Sequence, residues 1–198
     1  MRALACALAL AAAPKGAVWP LTASELEGEA ATVNPRIDDT PPCAAKNAPV
    51  ELRLFARVKE GPQLRLTVKN CTAKVVKLLH DSDLQPSHLE FKSKLKAPFD
   101  RRSQKKFDNT VRLRSFLTLE PGQERLLMDQ KFQREGEGYG LLWGPFEYAE
   151  LPLGKQSLHA VLDAWLDAAR DDDSGKQVKV DSAAVGSFKS NDVTIALP

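Results

Sequence analysis

Val50-Glu51-Leu52-Arg53-Leu54-Phe55-Ala56-Arg57 and Leu64-Arg65-Leu66-Thr67-Val68-Lys69 flank the short segment Glu60-Gly61-Pro62. In both arms every second residue is apolar, and the residues between are mostly charged or polar. Successive side chains of a strand point to opposite faces, so a period of two predicts half-buried strands. Gly61-Pro62 marks a turn, which makes the two arms an antiparallel hairpin.

The same pattern continues downstream. Asn70-Cys71-Thr72 breaks the ladder, Lys74 to Leu79 reads as a third strand, and His88 to Phe91 as a short fourth. Val111, Leu113, Ser115, Leu117 and Leu119 share one face of a fifth strand. Leu119-Glu120-Pro121-Gly122 then turns the chain back into Arg125 to Met128. A short strand is expected around Phe132, whereas Gly136, Gly138 and Gly140 around Tyr139 carry no regular assignment.

From Leu158 to Ala169 two readings stand. Leu158, Val161, Leu162, Trp165 and Ala169 have helical spacing, while Leu158, Ala160, Leu162, Ala164 and Leu166 line one strand face. The strand is preferred, because turn-separated β pattern surrounds it. Val193, Ile195 and Leu197 alternate in a closing strand within Phe188 to Leu197. About seven or eight short strands predict an all-β fold, an antiparallel β-sandwich over residues 50–198.

Upstream of that domain the composition changes. Met1-Arg2 precedes an apolar run from Ala3 to Ala13, the pattern of a secretory signal peptide. The run is shorter than the about 20 residues a transmembrane helix needs. A signal peptide is expected within residues 1–23, cleaved between Ala11 and Ala23. Residues 24–49 contain Pro35, Pro41, Pro42 and Pro49 with little apolar periodicity, and read as a polar linker. Cys6 falls in the signal, leaving Cys43 and Cys71. An even cysteine count in an exported chain permits a disulfide, worth roughly 3 to 4 kcal/mol for this span. No Cys-x-x-Cys pair points to redox catalysis.

Leu66-Thr67-Val68-Lys69-Asn70, the turn from Leu119 to Glu124, Pro152-Leu153-Gly154 and Ser190 to Ile195 together resemble the immunoglobulin-like sandwich domains of bacterial exported proteins. A more distant likeness is to small bacterial proteinase-inhibitor sandwiches. The resemblance implies a fold that hosts many functions.

Net charge is +2, so bulk electrostatics names no partner. Its distribution is more informative. Lys92, Lys94, Lys96, Arg101, Arg102, Lys105 and Lys106 surround a single acid, Asp100, with Phe99 and Phe107 nearby. Such a loop suits an anionic lipid, a glycan or an acidic protein; export makes nucleic acid an unexpected partner. Asp163, Asp167, Asp171, Asp172 and Asp173 form an opposite cluster without the alternating acid spacing of an EF-hand. His80, Asp81, Asp83 and His88 are the best local metal group, but their spacing matches no metal motif. Trp143 with Tyr139, Phe146 and Tyr148 is the densest aromatic group, either a binding surface or a lid packed on the sandwich. Asn70-Cys71-Thr72 has the form of a glycosylation sequon. No serine lies in a nucleophile elbow, and no Gly-rich loop leads from a strand into a helix.

The expectation is an exported, non-catalytic binding or accessory module of the cell envelope, without cofactor or metal. Its expected binding residues are Lys92, Lys94, Lys96, Arg101, Arg102, Tyr139 and Trp143. The alternative is an inhibitor-like sandwich or an enzyme whose site no motif reveals.

Overall fold

The structure, a computed structural model, describes residues 43–44, 48–80, 87–104 and 110–198. The expected signal peptide and almost all of the expected linker lie outside the described residues. The chain is all-β. Its first hairpin pairs β1 (Val50–Arg57) with β2 (Gln63–Asn70), with Leu52 opposite Val68 and Leu54 opposite Leu66. These four, with Val50 and Leu64, form one buried face. Removing a leucine of this kind from water contributes about 1.5–3 kcal/mol.

The reverse face of the hairpin is polar and also largely buried. Arg65 lies opposite Asp129 on β7 (Glu124–Lys131), which pairs with the other edge of β2. Its guanidinium donates to the Asp129 carboxylate at 2.7 and 3.1 Å. Arg53 is held between Glu51 and Glu124, and the Thr67 hydroxyl donates to Glu124. Cross-strand pairs of opposite charge lie across one another here, and the aliphatic stems beneath them stay dry. Lys69, on this face, has its pKa lowered by burial first and by Arg53 second.

Cys43 and Cys71 form a disulfide with Cα atoms 5.9 Å apart. It closes the open end of the hairpin, beside the last rung, Val50 to Asn70. Asn70 itself is fully buried: its amide donates to the carbonyls of Lys74 and Leu119 and accepts from Thr72. The sequon is therefore occupied by a core asparagine with both amide hydrogens engaged.

Short strands carry the rest of the chain. β3 (Val76–Leu79) pairs with β6 (Phe116–Leu119). A second sheet has the order β5-β10-β9-β8, from β5 (Phe99–Asp100), β10 (Phe146–Leu151), β9 (Gly138–Trp143) and β8 (Gln133–Glu135). A third is centred on β11 (Gly154–Ala164), flanked by β4 (His88–Phe91), β14 (Gly186–Lys189) and β15 (Val193–Leu197). β12 (Ala168–Arg170) and β13 (Gln177–Lys179) make a small hairpin. All strand-to-strand ladders are antiparallel, and residues from the three larger sheets share one core, as in a β-sandwich.

Two polar side chains clip these sheets together. Asn191 accepts from the Leu54 N–H and donates to the Leu54 carbonyl, both at 2.9 Å, so it pairs with β1 as a strand would. The Tyr148 hydroxyl accepts from the Leu89 N–H at 2.7 Å and donates to the Leu89 carbonyl at 3.1 Å. Burial pushes the Tyr148 pKa up to about 12, so this hydroxyl remains a donor at neutral pH.

Several expectations change. Leu158 to Ala164 is strand, as preferred, but the strand starts at Gly154 and stops before Trp165. In the expected fifth strand, Leu113–Ser115 is a 3-10 turn and only Phe116–Leu119 is extended. The closing strand is broken at Ser190-Asn191-Asp192, where the Ser190 hydroxyl takes the Ala160 N–H and frees Asn191 to reach β1. The Gly-rich segment is part of a regular hairpin. Gly138 is required there, because a Cβ would stand 2.6 Å from the Leu151 carbonyl oxygen.

Candidate functional site

A group of ionisable side chains centred on a buried histidine lies where β4, β11 and the break between β14 and β15 meet. His159 on β11 is opposite Glu90 on β4. His88 is two residues before Glu90, which puts both on the same strand face. Asp192 comes from the break between β14 and β15, and Lys92 follows directly after β4. A strand pair and a break between strands thus gather residues up to 104 positions apart.

His159 is the buried centre, its side chain 8% exposed. Its Nε2 stands 2.8 Å from Glu90 Oε2, and its Nδ1 3.3 Å from Asp192 Oδ1. The second contact is ionic in distance but too poorly aligned to be a hydrogen bond. His88 Nε2 lies 3.5 Å from the other oxygen of Glu90, and Lys92 Nζ 2.8 Å from the other oxygen of Asp192. The hydrogen bond with His159 lowers the pKa of Glu90, with burial opposing it. The hydrogen bond from Lys92 lowers that of Asp192 in the same way.

Both shifts have the same sign for stability. A carboxylate whose folded pKa is depressed stabilises the fold above its ordinary pKa, and that contribution is lost as pH falls through the folded value. Urea unfolding followed from pH 7 to pH 3 should show the wild type losing stability toward the acid end. In Glu90→Gln that loss should be shallower, by less than about 1 kcal/mol because Glu90 is largely in water. Parallel curves for the two proteins would mean that the Glu90–His159 pair does not couple to folding.

Carboxylate, imidazole and carboxylate in a row can orient a ring and fix its protons. Among the described residues no serine, threonine or cysteine side chain hydrogen-bonds His159, so the row lacks the nucleophile of a hydrolytic triad.

The expected basic loop is partly neutralised. Lys92 pairs with Asp192, and Lys96 lies 3.9 Å from Glu150. Arg102 folds back on Asp100 through Nε and Nη2, with its guanidinium 5.5 Å from the centre of the Phe146 ring. Lys94 and Arg101 remain exposed beside the exposed Phe99. Lys105, Lys106 and Phe107 lie outside the described residues, as do Asp81 and Asp83 of the expected His80–His88 metal group.

In the acidic cluster Asp171 accepts from the Ser174 N–H, Asp172 pairs with Arg112, and Asp167 lies 3.9 Å from Lys179. These acids serve turns and ion pairs rather than converging. Cys43, Glu51 and Cys71 do converge, but both sulfurs are spent in the disulfide.

The aromatic expectation needs correction. Trp143 is 0% exposed and Tyr139 is buried, so neither ring offers a stacking surface. Both face inward from β9 with Leu141, and the Trp143 Nε1–H donates to Ser87 Oγ at 3.0 Å. Of the two expected alternatives, the structure has the packed lid.

Among the described residues the exposed tryptophan is Trp165, with 61% of its surface in water. Sequence reasoning placed it only on the helical stripe. With Leu158, Ala160, Leu162 and Ala164 inward, strand parity would have turned residue 165 outward. Trp165 follows the last rung of β11, Ala164 to Gly186, and Val185 precedes the same rung on the other strand. Leu166 and Val185 are exposed as well. Asp163 and Asp167 flank Trp165 and Leu166 in the chain, and Asp167 lies 3.9 Å from Lys179.

No protein-family model matches the chain, and neither curated proteins nor solved structures yield a match. Among the described residues no helix is long and apolar enough to cross a membrane.

Proposed function

We propose that the chain is an exported, non-catalytic binding or accessory module of the cell envelope, on an immunoglobulin-like sandwich. The observation that carries this reading is the exposed apolar group of Trp165, Leu166 and Val185 at one end of β11 and β14. Exposed tryptophan is costly in water and supplies much of the energy of protein contacts. Asp163, which precedes Trp165 on β11, favours a partner segment that is apolar with a basic residue at its edge. The Cys43–Cys71 disulfide and the signal-like N-terminus support export. The basic loop is the secondary candidate; among its described residues Lys94 and Arg101 are the exposed cations outside the ion pairs of Lys92, Lys96 and Arg102.

Crosslinking to cell-envelope extract tests the reading with matched variants. Trp165→Ala should abolish a specific crosslink and leave the unfolding midpoint within about 0.5 kcal/mol, since the side chain packs little in the free protein. Lys94→Ala with Arg101→Ala should retain the crosslink. Loss only in the basic-loop variant would move the surface to that loop, and capture indifferent to both would end the proposal.

A further inference from the structure

We propose that residues 24–42 of this chain dock as a strap on the outer face of the β1-β2-β7 sheet. That face is turned away from the leucine core, yet it is not a solvent face. On β2 Arg65 is 1% exposed and Lys69 7%, with Gln63 and Thr67 buried beside them. Arginine and lysine are seldom covered to this degree on the outside of a sheet. By strand parity the face carries Arg53, Arg57, Arg65, Lys69 and Lys131 against Glu51, Glu124 and Asp129. All three acids are engaged within the sheet, Glu51 and Glu124 by Arg53 and Asp129 by Arg65. The covered face is thus positive in net charge, and carboxylates laid on it would be attracted by several cations at once.

The point where the chain enters the sheet identifies the occupant. Cys43 is bonded to Cys71, just past the end of β2, and the Ala44 N–H donates to the Glu51 carboxylate at 2.6 Å. Glu51 is an outward residue of β1, so Cys43 and Ala44 already stand at the rim of this face. The segment that leads into Cys43 has the opposite charge. Residues 24–42 carry Glu25, Glu27, Glu29, Asp38 and Asp39 against one cation, Arg36. Length is sufficient as well. The eight residues of β1 rise about 26 Å, whereas residues 24–42 can span at most about 60 Å. Asp39 and Asp38 precede the disulfide by four and five residues, a reach of about 13 to 17 Å, which takes them to the level of Arg53 and Arg65. Leu26, Val33 and Ile37 offer apolar atoms to Phe55 and Leu126, which are outward and partly exposed.

Limited proteolysis and carbodiimide crosslinking of the purified chain test the strap. Trypsin can cut after Arg36, inside the segment. Docking should slow that cut relative to a free peptide of the same sequence, because cleavage then follows the undocked population. High salt should restore much of the rate by screening. Asp38→Asn with Asp39→Asn, referred to its own matching peptide, should lose about 5- to 30-fold of the protection. Both positions precede the described β-strands, so the fold itself is not at risk. Carbodiimide should join Asp38 or Asp39 to Lys69 or Lys131, and a mixture of light and isotope-labelled chains should show the link within one molecule. A cut after Arg36 as fast as in the free peptide, or equal protection in the double variant, would overturn the proposal. A link between light and labelled chains would also overturn it, by giving the face to a second copy.

Discussion

Replacing Cys43 and Cys71 together by serine is expected to lower the unfolding free energy by about 3 to 4 kcal/mol, from closure of a loop of this length. The two cysteines are 28 residues apart in sequence. The bridge ties the stem before β1 to the end of β2, and the Cys71 N–H donates to the Pro49 carbonyl alongside it. Among the described strands β1 stands at the edge of its sheet, next to β2. Its other edge is held at Leu54 by the Asn191 side chain. Without the bridge, Val50 and Leu52 sit at the unprotected end of that strand, where local opening begins. Urea unfolding of the oxidised protein against the double serine variant measures the difference. Hydrogen exchange should also rise first at residues 50–53 and 68–71. A loss below about 1 kcal/mol would mean that the unfolded chain already holds these ends together.

How much of this was legible depends on whether a feature is local. The hairpin from Val50 to Lys69 was readable because each inward residue is apolar and each outward one except Phe55 is polar, and the register then follows from the turn. What alternation could not convey is that the outward face is also buried. Arg65 looks like a solvent residue until Asp129, 64 positions later, is brought opposite it. The same holds for the candidate site. His159 and Glu90 are 69 positions apart and meet only because β4 pairs with β11 in one register. Asp192 joins them only because Ser190 interrupts the closing strand. The aromatic group failed for a different reason. Gly138 and Gly140 hid a strand whose inward residues, Tyr139, Leu141 and Trp143, do alternate. Glycine there reads as loop, whereas it serves the close approach of β9 to the Leu151 carbonyl.

Trp143→Ala is expected to cost about 3–5 kcal/mol, the usual range for deleting a fully buried aromatic side chain. The ring packs in the main core with Leu141 and Tyr148, and its N–H satisfies the buried Ser87 hydroxyl. Alanine leaves a cavity and a polar group without its donor at once, and the two losses add in the same direction. Trp143→Phe separates them: it keeps most of the volume and removes only the donor, so it should cost about 1–3 kcal/mol. Denaturant unfolding of the three proteins gives the ordering directly. Trp165→Ala should fall near the wild type on the same scale, because its ring is mostly in water already. Trp143 and Trp165 therefore part company. One variant unfolds the domain and loses binding as a consequence, while the other keeps the fold and loses binding alone. A Trp143→Ala protein as stable as wild type would contradict the packed core around β9. A Trp165→Ala protein that unfolds readily would assign that ring to the fold and remove the surface on which the binding function rests.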